Sequence, residues 1–301
     1  MPTAPPLRIA AAQYPVAPVG SWAAYRDKLA AWVAEAAGAG ATLLVFPEYG
    51  ALELASLFPA EIHGDLARQL PALQELLPDF LNLHRHLADS HGVHILAATL
   101  PVRGADGRYR NRAHLVAPGG GIAWQDKLVL TRFERELWDL APGEELRVIE
   151  TAIGRIGISI CYDIEFPLIA RRQAEAGADL ILAPSSTGLL AGWRRVRIGA
   201  RARALENQCY VVQAPTVGTA PWSPVVDTSR GAAAVYCTPD PGFFPEDGIL
   251  AEGELDRPQW VHAELDFDLL RRVRSDGKVV TVQDWPRQER QAAAPAVVVR
   301  T

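Results

Sequence analysis

Cysteine is scarce in this chain: Cys161, Cys209 and Cys237 are all that its 301 residues contain. An odd number with no Cys-x-x-Cys spacing argues against a disulfide framework and a zinc knuckle, and fits a reducing compartment. No apolar run approaches the roughly 18 residues that a membrane span needs. The opening MPTAPPLRIAAAQYP lacks the charged flank and long apolar stretch of a secretory signal. A cytoplasmic protein with no membrane partner is therefore expected. Excess positive charge is missing as well, since the formal net charge is -5. Nucleic acid is not an expected partner, because phosphate-backbone binding needs clustered cations. The densest basic run, Arg194 to Arg203, has helical spacing and is followed by Glu206, which suits a solvated or ion-paired helix face. No Ser- or Gly-rich linker divides the chain, and Gly119-Gly120-Gly121 lacks the Lys-Ser/Thr that would make it a phosphate loop.

What is present is an ordinary globular composition, 49% hydrophobic and 22% charged, with apolar β-branched runs alternating with amphipathic helical stretches. Leu7 to Tyr14 reads as a first strand. Ser21 then caps a helix that Gly38 ends, and Thr42 to Phe46 forms a buried strand. Between Glu61 and Ser90, Pro71 and Pro78 predict two or more helical pieces. His94 to Leu100 is expected to be one strand, and Tyr109 to Leu128 a hairpin turning at Pro118 to Gly121. A second hairpin is expected around Gly154, with helices over Phe166 to Ala176 and Gly192 to Asn207. Strands are expected at Asp179–Ala183, Tyr210–Ala214, Gly231–Cys237 and Trp260–Leu265. The reading is a single α/β domain over 1–284 and a patternless tail over 285–301 that frays or meets another subunit.

Side chains just beyond strand ends converge on a crevice in such folds. Glu48 ends TLLVFPE, Lys127 ends GIAWQDK and Cys161 ends RIGISIC. A thiol needs a base to take its proton, and a lysine can offset charge and donate to an oxyanion beside a backbone N–H, here that of Tyr162. Each residue also has an ordinary reading taken singly: a strand-end acid, a solvated cation and a buried small hydrophobe.

The surrounding words favour the chemical reading. TLLVFPEYG (42–50), YRNRAHLVAPGGGIAWQDKLVLT (109–131) and GRIGISICYDIEFP (154–167) resemble, in order, the glutamate, lysine and cysteine motifs of the nitrilase superfamily, the carbon–nitrogen hydrolases. The similarity continues through AGADLILAPSS (176–186) and RARALENQCYVVQAPTVG (201–218), then weakens at Gly231-Ala232-Ala233, where many relatives carry Gly-x-Ser. The resemblance implies a four-layer α-β-β-α sandwich, usually paired across a dimer. It implies Glu48 as general base, Lys127 as oxyanion-stabilising cation and Cys161 as the nucleophile of a thioester acyl-enzyme, with no cofactor or metal. The segment ERELWDLAPGEEL (134–146) is similar to the family's second-glutamate segment, which points to Glu136. Glu134 is the near alternative, and a surface acid paired with Arg132 or Arg135 is the ordinary reading of Glu136.

Cys161-Tyr162-Asp163 is similar to amidase-like members rather than to true nitrilases, which commonly show Cys-Trp-Glu. Ile164 and Glu165 stand where some carbamoyl-amino-acid hydrolases have arginines. The implied substrate is a small linear amide. An N-carbamoyl amine hydrolase, an acyltransferase and a catalytically silent scaffold of the same fold are the alternatives. Glu165 could attract a cationic substrate, but an ion pair with Arg171 and Arg172 is the simpler expectation. Thr187 and Trp193 are candidate pocket walls. His84, His86, His91 and His94 cluster, but His84 and His86 point to different helix faces and no acidic ligand has fitting spacing, so a metal site is not expected.

Overall fold

The structure, a computed structural model, describes residues 5–299. The first strand β1 (Leu7–Pro15) leads to α1 (Trp22–Gly38), where the Ser21 side chain accepts the Ala24 N–H at 3.1 Å and Tyr25, Leu29, Val33 and Ala36 form the buried stripe. After β2 (Leu43–Val45) come a 3₁₀ segment over Gly50–Leu57, the short α2 (Ala60–His63) and the 23-residue α3 (Gln69–His91). Next are β3 (His94–Leu96), β4 (Leu100–Arg103) and the hairpin β5 (Tyr109–Val116) with β6 (Ile122–Asp126). A second hairpin, β7 (Val148–Thr151) with β8 (Gly154–Ile158), precedes α4 (Pro167–Glu175), β9 (Leu180–Ser185), α5 (Leu190–Asn207) and β10 (Tyr210–Thr219). The chain closes with β11 (Thr228–Ser229), β12 (Ala234–Tyr236), β13 (Ile249–Glu252), β14 (Gln259–Leu265), α6 (Phe267–Asp276) and α7 (Thr281–Ala292).

Pairing divides the strands into two halves. In the first, β14 runs antiparallel to β1, β1 parallel to β2, β2 parallel to β3, and β5 carries β3, β4 and β6. In the second the order is β7, β8, β9, β10, β12, β13, with β8, β9 and β10 parallel. The halves join where Tyr14 and Pro15 pair with Thr216 and Val217.

Side-chain alternation then builds the layers. Ile9, Ala11, Leu43 and Val45 enter a core shared with Ile158, Leu182 and Val212 of the second half, and Val196 and Ala200 of α5 join that core. Ala10, Ala12, Leu44 and Phe46 face the opposite way, onto Leu29 and Val33 of α1 and Leu73 and Phe80 of α3. Helix, sheet, sheet and helix are stacked as an α-β-β-α sandwich.

Three expectations need correction. The segment with Pro71 and Pro78 forms one helix, α3, rather than separate pieces. Pro71 sits in the first turn, where an N–H has no intrahelical acceptor. Pro78 is interior, at a cost of about 3 kcal/mol, which burial of Leu70, Leu73, Phe80 and Leu87 offsets at about 1.5–3 kcal/mol each. The strand expected from His94 to Leu100 is two strands with a break at 97–99, where the Thr99 hydroxyl accepts the Tyr49 N–H at 2.9 Å. The boundary at 284/285 falls inside α7, so residues 285–292 are helix rather than patternless tail. Trp285 ties α7 to the body of the domain: its indole N–H donates to Glu206 O at 2.7 Å, and the Arg171 guanidinium lies 3.8 Å from its ring centroid.

That anchor is measurable. Trp285→Ala is expected to lower stability by about 1–2 kcal/mol, the sum of one hydrogen bond and one cation–π contact, read as a shifted urea midpoint. An unchanged midpoint would mean that α7 contributes nothing to the cooperative unit.

Candidate active site

Glu48, Lys127 and Cys161 come together because β2, β6 and β8 all end at one edge of the two-sheet stack. Lys127 is buried with its ammonium between two buried carboxylates, 2.7 Å from Glu48 Oε1 and 2.8 Å from Glu134 Oε1. Two of its three N–H groups are thereby used, leaving one for another acceptor. Glu48 also accepts from Asn111 Nδ2 at 2.9 Å and from the Ser186 N–H at 2.9 Å. Glu134 is held more heavily: Tyr49 OH donates at 2.5 Å, and the N–H and hydroxyl of Thr131 each donate at 2.8 Å.

This difference divides the two acids. Burial raises the Glu48 pKa above its ordinary value and the Glu134 charge adds to that, against the pull of Lys127. Burial works the same way on Glu134, but Lys127 and the hydrogen bonds from Lys127, Tyr49 and Thr131 carry its pKa below the usual value. Glu134 is therefore the acid held ionised as the partner of the lysine, and Glu48 is the one whose surroundings favour its protonated form more than water does. Burial opposes the Lys127 charge, yet the two carboxylates hold its pKa well above the ordinary lysine value.

Cys161 follows β8 at φ 50°, in the left-handed region that non-glycine residues rarely occupy. Such a conformation costs on the order of 1–3 kcal/mol and turns the side chain sharply at the strand end. Burial and the Glu48 charge raise the thiol pKa well above the ordinary value despite Lys127, so the resting sulfur is protonated. Its Sγ lies 3.8 Å from Ser186 O, and a cavity of about 400 Å³ opens above it. The Tyr162 N–H opens the 3₁₀ turn after Cys161, where helical N–H groups have no acceptor within the turn.

One further acid ties the parts together. Buried Asp163 accepts the N–H groups of Leu128 at 3.2 Å and Val129 at 2.7 Å, just past Lys127, and that of Ile160 at 3.2 Å, just before Cys161. One carboxylate thus fixes the lysine segment relative to the cysteine turn. Burial pushes its pKa up to about 7, against Lys127 and these N–H donors.

The second-glutamate choice is corrected. Glu136 lies at the surface, 2.9 Å from Arg132 and 3.2 Å from Arg135, as the ordinary reading had it, and Glu134 is the acid that meets Lys127. The two are neighbours on opposite faces of one helical turn, a distinction that only backbone direction makes. Thr187 lines the Cys161 cavity, with its hydroxyl donating to Arg230 O at 3.0 Å. Trp193 does not line it: its indole donates to Ala232 O at 3.0 Å, because on α5 the face at Gly192, Arg195 and Val196 meets the cavity and residue 193 is turned about 100° away. Glu165 pairs with Arg195 rather than with Arg171 and Arg172, which reach Glu175 at helical spacing. Tyr49, Asn111 and Asp163 were not singled out as site residues by sequence reasoning, although Asn111 and Asp163 lie inside the quoted lysine and cysteine motifs.

With the geometry in place, the comparison with known proteins is decisive about kinship. The family model for carbon–nitrogen hydrolases matches residues 8–250. The chain belongs to the carbon–nitrogen hydrolase family. This carbon–nitrogen hydrolase is 34% identical to the probable hydrolase YhcX of Bacillus subtilis over 282 residues, covering 94% of this chain and 54% of that protein. It is 31% identical over 199 residues to the deaminated glutathione amidase of Mus musculus, covering 62% of this chain and 59% of that protein. The chain thus spans little more than half the length of these curated relatives. The carbon–nitrogen hydrolase of Helicobacter pylori G27 has the same fold, with a TM-score of 0.73 at 21% identity and coverage of 94% of both chains. An amidase variant from Nesterenkonia sp. AN1 gives a TM-score of 0.68 at 22% identity over 96% of this chain and 100% of that one. Among the described residues no helix is long and apolar enough to cross a membrane.

Two substitutions test the division of roles. Glu134→Gln removes a charge that helps raise the Glu48 pKa, so the acid limb of kcat/KM, set above the ordinary glutamate value by Glu48, is expected to move to lower pH. Glu136→Gln is expected to leave that limb in place. An unmoved limb in Glu134→Gln would contradict the coupling. Asp163→Asn turns an N–H donor toward backbone donors and is expected to lower kcat by about 10- to 100-fold, equivalent to one or two lost charge-assisted hydrogen bonds. KM and the circular dichroism spectrum should change little; a raised KM with normal kcat would refute the positioning role.

Proposed function

We propose that this carbon–nitrogen hydrolase is a thiol amidase that cleaves the carboxamide C–N bond of a small, non-peptide molecule and releases ammonia or an amine. The observation that carries the reading is the buried Glu48–Lys127–Glu134 cluster placed beside the αL-held Cys161 at the floor of a cavity.

Substrate enters with its carbonyl carbon over Sγ. The Cys161 proton passes to Glu48 as the sulfur attacks, and the carbonyl oxygen becomes an oxyanion that accepts from the remaining Lys127 N–H and from the Tyr162 N–H. Protonated Glu48 then gives its proton to the departing nitrogen, the C–N bond breaks, and a thioester remains on Cys161. Water enters, Glu48 takes one of its protons, and the resulting hydroxide adds to the thioester carbon. Collapse expels the sulfur, which recovers the proton from Glu48, and the carboxylic acid leaves. The raised Glu48 pKa suits a group that accepts and returns one proton twice per cycle, and the constant charge of Glu134 keeps Lys127 cationic throughout.

The named amidases among the relatives support an amide over a nitrile, as does Cys161-Tyr162-Asp163. In the Nesterenkonia amidase variant the active-site cysteine has added to acrylamide. The same reading places the protein in the cytoplasm, where the unpaired Cys161, Cys209 and Cys237 would stay reduced. It also includes self-association, for which the exposed Leu168 of α4 and Ile198 and Leu205 of α5 offer apolar surface.

Cys161→Ala is expected to abolish ammonia release from a panel of small amides, by on the order of 10³-fold or more. Acid quenching of the parent enzyme in turnover should show an acyl mass on the peptide that contains Cys161. Full activity in Cys161→Ala would overturn the mechanism. A Cys161 that reacts no faster with iodoacetamide than Cys209 or Cys237, with no turnover, would favour a silent scaffold.

A further inference from the structure

Ser186 stands where the sheet stops holding the chain. The β9–β10 ladder ends at the pairing of Ser185 with Pro215, and one residue on, Thr216 pairs instead with Tyr14 of β1 at the junction of the two halves. Beyond the ladder, the Ser186 N–H donates to Glu48 Oε2 at 2.9 Å, and the Ser186 carbonyl accepts the Cys161 thiol, whose Sγ lies 3.8 Å away. One residue thus meets the proton donor with one backbone group and the proton acceptor with the other. The direction of both groups depends on what holds Ser186 itself.

The side chain provides that hold. Thr216 Oγ1 and Ser186 Oγ are 2.9 Å apart. Thr216 is fully buried, and among the described residues Ser186 Oγ is the one hydrogen-bond partner of its hydroxyl, whereas Ser186 lines the cavity over Cys161. A buried hydroxyl gives its proton to its only acceptor, and a hydroxyl at a cavity can give its own to water, so Thr216 donates and Ser186 accepts. The donor is well fixed. Its β-branched side chain is restricted at χ1, and its backbone is paired into the sheet at the junction. After Ser186 the chain is pinned again: the Thr187 hydroxyl donates to Arg230 O at 3.0 Å, and the Thr187 carbonyl accepts the Arg230 N–H at 2.8 Å.

We propose that Thr216 is a positioning residue of the Cys161 site: by donating to Ser186 Oγ it sets the Ser186 backbone, and through it the placement of Glu48 and the Cys161 thiol for proton transfer. Thr216 does not line the cavity and its hydroxyl bonds neither Glu48 nor Cys161, so it acts through Ser186 alone. This inference rests on the passage of the thiol proton from Cys161 to Glu48 in the thiol-amidase reading. It extends the site from the strand ends to the seam where the two halves of the sheet system meet.

Alkylation of Cys161 by iodoacetamide requires loss of the same thiol proton and needs no amide, so its rate, followed by mass spectrometry with Cys209 and Cys237 as internal references, tests the role directly. Thr216→Val keeps the side-chain shape and removes the donor. It is expected to slow Cys161 alkylation by about tenfold, the scale of one lost hydrogen bond, with the reference cysteines unchanged. Thr216→Ser restores the hydroxyl and is expected to bring the rate back to within about threefold of the parent. Ser186→Ala removes the acceptor and should reproduce Thr216→Val, and the double variant should be no slower than either single one, because both act through one bond. For any amide that the parent hydrolyses, the same variants should lower kcat and leave KM within about twofold. Parent-rate alkylation in Thr216→Val, equal losses in Thr216→Val and Thr216→Ser, or additive losses in the double variant would each overturn the positioning role. Should Thr216→Val lose its circular dichroism, Ser186→Ala carries the test from the cavity side, and parent-rate alkylation there would overturn the role in the same way. A parent that releases ammonia from no amide would count against the amidase reading and leave the alkylation comparison standing.

Discussion

A lysine ammonium buried between two carboxylates is the constraint on which the rest of this site depends. Removing Lys127 from water is costly unless its charge is met, and Glu48 and Glu134 meet it at 2.7 and 2.8 Å. Two acids for one base leave an excess of negative charge, and the fold does not share that excess evenly. Tyr49, Thr131 and Asn111 crowd donors around Glu134, whereas Glu48 faces the cysteine with fewer. The acid with fewer donors is the one whose pKa is raised. The opposite shifts of the two acids thus follow from an unequal supply of hydrogen bonds inside one buried cluster.

That cluster is useful only if its members are held in register, and they come from distant parts of the chain. Glu48 follows β2 and Lys127 follows β6 in one half of the sheet system, while Cys161 follows β8 in the other. Two polar links cross between the halves at this site. Asp163 binds the backbone on the far side of Lys127, and the Ser186 N–H, just past β9, donates to Glu48. The strained αL turn at Cys161 persists because it lies between these links.

The mouth of the cavity follows a different rule. Inside, charges are buried, paired and fixed; at the rim, arginines on exposed pairs can change partners. The buried cluster therefore answers to burial and the exposed arginine pairs to ionic strength.

The sequence by itself determined the kinship, the layered α/β class, and the Glu48, Lys127 and Cys161 positions, because strand-end words of eight or more residues carry the local pattern that places a side chain beyond a sheet edge. It also placed the α1 cap at Ser21 and both hairpins, where local turn and capping chemistry decide. What depended on nonlocal contact was not legible. Nothing local separates Glu134 from Glu136, or tells that Glu165 would reach Arg195 rather than Arg171. α3 runs through Pro78 because its apolar face is covered by a sheet formed elsewhere in the chain, and α7 docks because Trp285 finds Glu206 and Arg171. Only the tertiary structure decided these points, since each depends on the direction of a side chain toward a residue far away in sequence, and the burial that fixes such a direction exists only once the layers have closed.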